Sequence, residues 1–280
     1  MGADSALGKL GILAGGGALP GLLRTAWQEV GGEVFVLAFT GITDPETVEG
    51  AEHMWVGLGK VGATIRGLKN AGCEAVVMAG SIERPSWSAL APDLRGEALV
   101  QKLLKAKGDD AILKRIVAEL ESEGFRVLGP DDILADLLAR AGVLGEKQPS
   151  EADWLDIRAA AAAALAVGRE DSGQAAVARA GEVLGVEGAD GTDALVERCH
   201  TADGLGGVLV KLPKPGQERR ADLPAIGLRT VEVVAAAGLN GVAVEAGGSL
   251  ILGQTEVAAA ADRLGIFVYG ATQREWGPER

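Results

Sequence analysis

The strongest constraint on this chain lies in its first 141 residues, where short apolar runs alternate with helical patterns. Residues 10–14, 34–38, 54–56, 75–79 and 126–128 read as strands. Helical periodicity covers 19–29, 60–71, 97–106, 110–123 and 131–140. Alternation of this kind predicts a parallel sheet covered by helices, an α/β fold of Rossmann-like type. The stretch 142–150 (GVLGEKQPS) has glycine, proline and charge without periodicity and reads as a linker.

Beyond it the pattern is less regular. An alanine-rich helix is expected over 151–167, strands over 175–178 and 183–186, and a helix over 192–199. Residues 241–245 and 249–252 are expected to pair as strands around Gly247-Gly248, with a helix over 255–264 and a last strand over 266–269. Two domains follow, a Rossmann-like one over 1–143 and a mixed α/β one over 144–280, in keeping with a length of 280 residues.

Composition narrows the function. A net charge of −12 argues against nonspecific nucleic-acid binding, which needs a basic face. Two cysteines, Cys73 and Cys199, are too few for a disulfide framework or a zinc site, so reduced thiols and a cytoplasmic setting are expected. The start, MGADSALGKLGIL, lacks a basic region followed by a long apolar core, and no run approaches the roughly 18 residues a spanning helix needs.

The chemistry-bearing stretch is 211–230, KLPKPGQERRADLPAIGLRT. It gathers Lys211, Lys214, Gln217, Arg219, Arg220, Asp222 and Arg229, with Thr230 opening a helical pattern. A cation-rich loop stiffened by prolines suits an anionic ligand, because arginine and lysine pair with phosphate oxygens. Asp222 adds a carboxylate able to hold a metal or act as a base, while a solvated charged loop would have much the same composition.

Other motifs sit where an open sheet collects ligands. Gly15, Gly16 and Gly17 follow the first strand, at the place of a Rossmann phosphate loop. Gly15-x-Gly17 is present, but Pro20 replaces the third glycine and 38–40 offers no acid for a ribose, which weakens a nicotinamide-dependent oxidoreductase. A backbone cradle for a nucleotide or sugar phosphate, or a tight turn without ligand, remains open there. Gly80-Ser81-Ile82 and Arg84 follow another strand, and Ser81 and Arg84 are candidates for phosphate or ribose contacts. Glu187 and Asp190 lie in EGADGTD, a pattern that caps a helix or combines capping with Mg²⁺ binding. Glu245 ends a strand and is one more candidate carboxylate. No serine stands in G-x-S-x-G, and His53 and His200 are isolated, so Ser-His-Asp hydrolysis and a zinc hydrolase are disfavoured.

Several long segments, in one order, carry a family resemblance: LGILAGGGALP from Leu10, AGSIERPS from Ala79, GDDAILKRIVAELESEGFRVLGP from Gly108, EGADGTDALVERC from Glu187, VKLPKPGQERRADLPAIG from Val210 and AVEAGG from Ala243. The chain resembles the UDP-2,3-diacylglucosamine pyrophosphatases of lipid A biosynthesis, in the family distinct from the metallophosphoesterase type. The resemblance implies Mg²⁺-dependent hydrolysis of the substrate's diphosphate to UMP and 2,3-diacylglucosamine 1-phosphate (lipid X). It implies two domains with the substrate between them, a homodimer, an apolar cleft for the acyl chains and peripheral contact with the inner membrane. The aspartate of the family's D-L-P motif falls on Asp222, which takes the catalytic role, with Arg220 and Lys211 beside it. The position after the motif is Ala225, where the family usually carries a polar residue. Substrate contacts are expected from Gly15, Gly16, Gly17, Gly80, Ser81, Ile82, Arg84, Lys214, Gln217, Thr230 and Glu245, and metal ligation from Asp222, Asp190 and Glu187. A noncatalytic nucleotide-sugar or lipid-binding protein is the remaining alternative.

Overall fold

The computed structural model describes residues 8–82, 90–104, 106, 108–200 and 206–277. The chain divides into two compact units, Met1–Ala135 with Glu218–Asp222, and Asp136–Gln217 with Leu223–Arg280. The first unit therefore contains a five-residue segment drawn from late in the sequence.

The first unit is built on a sheet of five parallel strands, β1 (Leu10–Ala14), β2 (Val34–Phe39), β3 (Glu52–Val56), β4 (Ala75–Ala79) and β5 (Arg126–Leu128), in the order β3-β2-β1-β4-β5. Every residue of β1 and β2 is buried, as expected of parallel strands covered on both faces. The crossovers run through α1 (Leu19–Glu29), α2 (Val61–Asn70), α3 (Leu94–Leu103) and α4 (Asp109–Ser122). One core of this unit joins Leu37, Phe39, Ile65, Leu68, Val76, Val117, Leu120 and Val127, and Ala221 of the late segment packs against it.

Asp93 shows why α3 starts three residues earlier than its periodicity predicts. Its carboxylate accepts from Gly96 at 2.8 Å, capping α3, and from Gly62 and Ala63 at 3.2 and 3.1 Å, at the start of α2. Burial alone would raise its pKa, but these three donors hold it below the usual carboxylate range. The helix expected over 131–140 is also different. A single turn, α5 (Pro130–Ile133), is followed by a 3-10 turn at Ala135–Leu137.

The second unit carries a six-stranded mixed sheet. Its strands are β6 (Gly142–Leu144), β7 (Ala175–Arg179), β8 (Glu182–Val186), β9 (Val208–Lys211), β11 (Gly241–Glu245) and β13 (Phe267–Ala271), in the order β6-β13-β11-β9-β7-β8. The central three, β9, β11 and β13, are parallel, and antiparallel strands complete both sides. Residues 142–144, expected to belong to a linker, are thus an edge strand held by β13. The expected pairing of 241–245 with 249–252 does not occur. β11 lies between β9 and β13, whereas β12 (Leu250–Ile251) pairs in parallel with β10 (Ala225–Ile226) in a sheet of its own.

Helices α6 (Glu151–Arg169), α7 (Gly191–Arg198), α8 (Leu228–Ala236) and α9 (Gln254–Leu264) complete this unit. Ser150 and Asp153 form a reciprocal capping box that starts α6. Ala160, Ala161 and Ala164 of α6 join Ala176, Ala178, Val208 and Val210 in one buried cluster, the small side chains letting helix and sheet approach closely. Cys73 and Cys199 are both buried free thiols, and burial pushes Cys73 up to about 11, leaving it unreactive near neutral pH. Among the described residues no helix is long and apolar enough to cross a membrane.

The first sheet's order reverses direction between β1 and β4, and there the following turns are locked together. A Cβ on Gly15 would lie 2.6 Å from the Ser81 carbonyl oxygen and 2.8 Å from the Gly80 carbonyl carbon, so backbone would have to move. A Cβ on Gly21, within α1, would meet nothing within 4 Å. Gly15→Ala is expected to lower unfolding free energy by about 1–3 kcal/mol, the scale of overpacking. Gly21→Ala should be neutral or stabilising by up to about 1 kcal/mol. Urea denaturation of the two variants beside the parent checks both, and equal stabilities would contradict this packing.

Candidate active site

The carboxyl edge of the first sheet is the natural ligand position of an open α/β fold, at the switch between β1 and β4. The structure brings Gly15, Gly16, Gly17, Gly80 and Ser81 together there. Gly15 N–H donates to Ala79 at 2.7 Å, and Gly16 and Ser81 exchange backbone bonds of 2.8 and 2.9 Å. Gly17, at φ +86°, donates to Asp44 Oδ2 at 2.7 Å. The buried Thr43 hydroxyl accepts from Phe39 N–H at 2.8 Å and donates to the Ala14 carbonyl.

These bonds change the expected use of the glycine turn. The N–H groups of Gly15, Gly16 and Gly17 each already have a protein acceptor, so they do not form an open phosphate cradle. Their shared property is small size, which lets two turns close onto each other. Ile82 is exposed beside Ser81, and Arg84 lies outside the described residues.

The cation-rich stretch splits between the two units. In the second unit, Lys214 N–H donates to Gln217 Oε1 at 2.8 Å, and Gln217 N–H returns a bond to the Lys214 carbonyl at 3.1 Å. Lys214 is buried with its ammonium on Asp171 Oδ1 at 2.6 Å, the only ordinary way to bury that charge. Lys214 and Gln217 thus hold the loop's shape. Lys211, at the end of β9, donates to the Ala225 carbonyl at 3.3 Å. It pairs with Val244 on the neighbouring strand, next to Glu245 at the end of β11.

Residues Glu218–Asp222 belong to the first unit. Glu218 N–H donates to Asp110 Oδ1 at 2.7 Å, in the first turn of α4, and Asp110 also pairs with Lys114 at 2.6 Å. Arg220 grips Glu218 through Nε and Nη2, both at 2.9 Å, and its Nη1 reaches Glu121 on α4 at 2.7 Å. The Ala221 and Asp222 N–H groups both donate to the Glu218 carbonyl at 3.0 Å. On the far side, a Cβ placed on Gly129, after β5, would lie 3.5 Å from the Arg220 Cα. Arg219 approaches Asp131 at 4.0 Å. Asp222 ends this turn and is half-buried.

Arg220 therefore does not stand ready for a phosphate: its guanidinium is shared between two carboxylates and fixes the turn. Glu218 and then Glu121 raise its pKa further, and Arg220 in turn holds Glu218 below the usual carboxylate range against the effect of burial. Glu218 and Asp110 escaped the sequence reading. Glu218 lay unremarked among the cations, and Asp110 stood where an ordinary helix cap would.

The acidic segment serves the second unit's own structure. Glu187 is buried, accepting from Gln174 N–H at 2.8 Å on one oxygen and from the Thr192 hydroxyl on the other. Asp190 occupies the N-cap of α7 but makes no capping bond through its side chain, pairing instead with Arg198. Asp193 pairs with Arg229 at 2.6 Å. Thr230 accepts weakly from Gly227 N–H at 3.4 Å at the start of α8. Among the described residues no group of three His, Cys, Asp or Glu is placed to hold a metal ion. With both oxygens facing hydrogen-bond donors, Glu187 does not fit the part of a metal ligand.

Comparison with known proteins matches the LpxI N-terminal domain over residues 9–137 and the LpxI C-terminal domain over residues 140–269. A protein of Caulobacter vibrioides named UDP-2,3-diacylglucosamine pyrophosphatase LpxI is 40% identical over 279 residues, covering 95% of this chain and 99% of that protein. Among solved structures, the match to a CobK precorrin-6A reductase spans 95% of this chain and 88% of that one at 15% identity and a TM-score of 0.35.

The Glu218–Arg220 pair has a pH signature. Glu218 takes a proton less readily when folded than when unfolded, so the pair stabilises the fold above the ordinary glutamate range and loses that effect as pH falls through the depressed value. Glu218→Gln is expected to be less stable than the parent by about 1 kcal/mol at pH 7. The difference should shrink toward zero in acid. Denaturant melts across pH 3–7 check this, and a pH-independent difference would contradict it.

Proposed function

The chain belongs to the LpxI family, and from that premise we propose that it hydrolyses the diphosphate of UDP-2,3-diacylglucosamine in lipid A synthesis. The products would be UMP and 2,3-diacylglucosamine 1-phosphate. The observation that carries this reading is the end-to-end likeness to the Caulobacter protein of that name.

Asp222 is the catalytic group of the proposal. Hydrolysis forms a bond from a water oxygen to one phosphorus and breaks that phosphorus's bond to the bridging oxygen. A carboxylate beside the water takes its proton as the new bond forms. Clamping of the turn by Glu218, Arg220 and Asp110 supports this role, since a base must be held in reach of its proton. Arg220 acts by holding the turn.

The expected Mg²⁺ is part of the same proposal, reduced to fewer protein ligands. Asp222 is the carboxylate proposed to hold the ion, while Glu187 is engaged by Gln174 and Thr192 and Asp190 by Arg198. Mg²⁺ commonly takes one or two carboxylates together with substrate phosphates. When bound, such an ion neutralises phosphate charge.

The nicotinamide reading has lost its support, because the glycine-turn N–H groups face protein acceptors. The purified protein incubated with UDP-2,3-diacylglucosamine and Mg²⁺ should release UMP, measured by liquid chromatography, and chelation with EDTA should suppress the release. Asp222→Asn should lower turnover by about 10²–10⁴-fold, the span of a lost general base, with Tm unchanged. UMP release by Asp222→Asn at the parent rate would remove Asp222 from the chemistry, and no UMP from the parent would leave a binding protein.

A further inference from the structure

We propose that Glu218 and Asp110, together with Glu121, are positioning residues that set the direction of the Asp222 carboxylate by fixing the turn Glu218–Asp222 onto helix α4. This rests on the reading of Asp222 as the catalytic group and extends it to residues given no part in the bond-making step.

Three features single out this cluster. First, Asp222 depends on Glu218 directly, because its N–H and that of Ala221 both donate to the Glu218 carbonyl at 3.0 Å. Moving Glu218 therefore moves the backbone from which Asp222 projects. Second, Glu218 is held at both ends. Its N–H is on Asp110 Oδ1 at 2.7 Å, and its carboxylate receives two guanidinium bonds of 2.9 Å from Arg220. Arg220 is in turn tied to Glu121 at 2.7 Å, about three helical turns along α4 from Asp110. Two anchors that far apart on one rigid helix fix the turn's orientation, where a single anchor would leave it free to pivot.

Third, the magnitudes point to placement over stability. The Arg220 side chain is 38% exposed and that of Glu121 46%, so their pair adds little to stability. A displacement of about 1 Å at a catalytic group, by contrast, costs on the order of 100-fold in rate. The same set of contacts is thus weak as a staple and strong as a guide.

The test is steady-state kinetics on UDP-2,3-diacylglucosamine, run well below the Tm of every variant. Glu218→Gln breaks the paired guanidinium bonds while keeping side-chain size, and Asp110→Ala removes the acceptor for the Glu218 N–H. Both are expected to lower kcat by about 10- to 100-fold with KM within about twofold of the parent, since placement of the reacting group is affected and substrate binding is not. Should either fail to fold, Glu121→Gln serves, because it alters only an exposed α4 side chain. It is expected to lower kcat by about three- to tenfold at unchanged KM and Tm, with Glu121→Asp recovering part of the loss. Parent-like kcat in the folded variants, or a raised KM at parent kcat, overturns the positioning role while leaving Asp222 and the hydrolase reading intact. No turnover by the parent overturns both.

Discussion

The guanidinium of Arg220 held between Glu218 and Glu121 is the interaction on which the proposed site depends. Together with the Glu218 N–H on Asp110, it holds in one place a short polar turn with two prolines before it and one after. Hydrogen bonds from one planar cation to two carboxylates fix both distance and orientation, which a single lysine could not do. The Ala221 methyl adds an apolar contact to the first unit's core, so the turn is seated as well as tethered.

This arrangement explains how one chain divides its labour. Each unit brings its own sheet and core, but residues Glu218–Asp222 leave the second unit's sequence and are built into the first. In that unit the Arg220 Cα lies beside Gly129, just after β5, and the glycine turns of β1 and β4 close on each other. Lys214 and Gln217 prepare the departure by a self-bonded turn whose buried ammonium rests on Asp171. Pro224 and the short β10 receive the chain on its return, with Leu250 N–H bonded to the Pro224 carbonyl. The prolines noticed in the sequence thus flank the excursion at both ends.

Much of the first unit was legible in the sequence, for a physical reason. Parallel strands buried on both faces must be continuous apolar runs, so β1, β2 and β4 stand out without any knowledge of partners. β6 and β10 do not, because two or three residues carry no periodicity, and their identity comes from a neighbour far away in sequence. The same limit governs the site. The position of Asp222 in a cation-rich loop could be seen, but the partner of Arg220 is 99 residues away and that of the Glu218 N–H is 108 away. Glu187 and Asp190 misled for the opposite reason, since an acidic cluster next to a helix start looks alike whether it binds an ion or the protein's own N–H and hydroxyl groups.

Amide hydrogen exchange at Glu218, Ala221 and Asp222 tests the clamped turn most directly, because their three N–H groups are the ones held by Asp110 and by the Glu218 carbonyl. The account predicts exchange at least about 100-fold slower than in an unstructured peptide, with that protection lost in Glu218→Gln. Exchange at the unprotected rate in the parent protein would mean that the turn is not held on α4, and the proposed placement of Asp222 would fall with it.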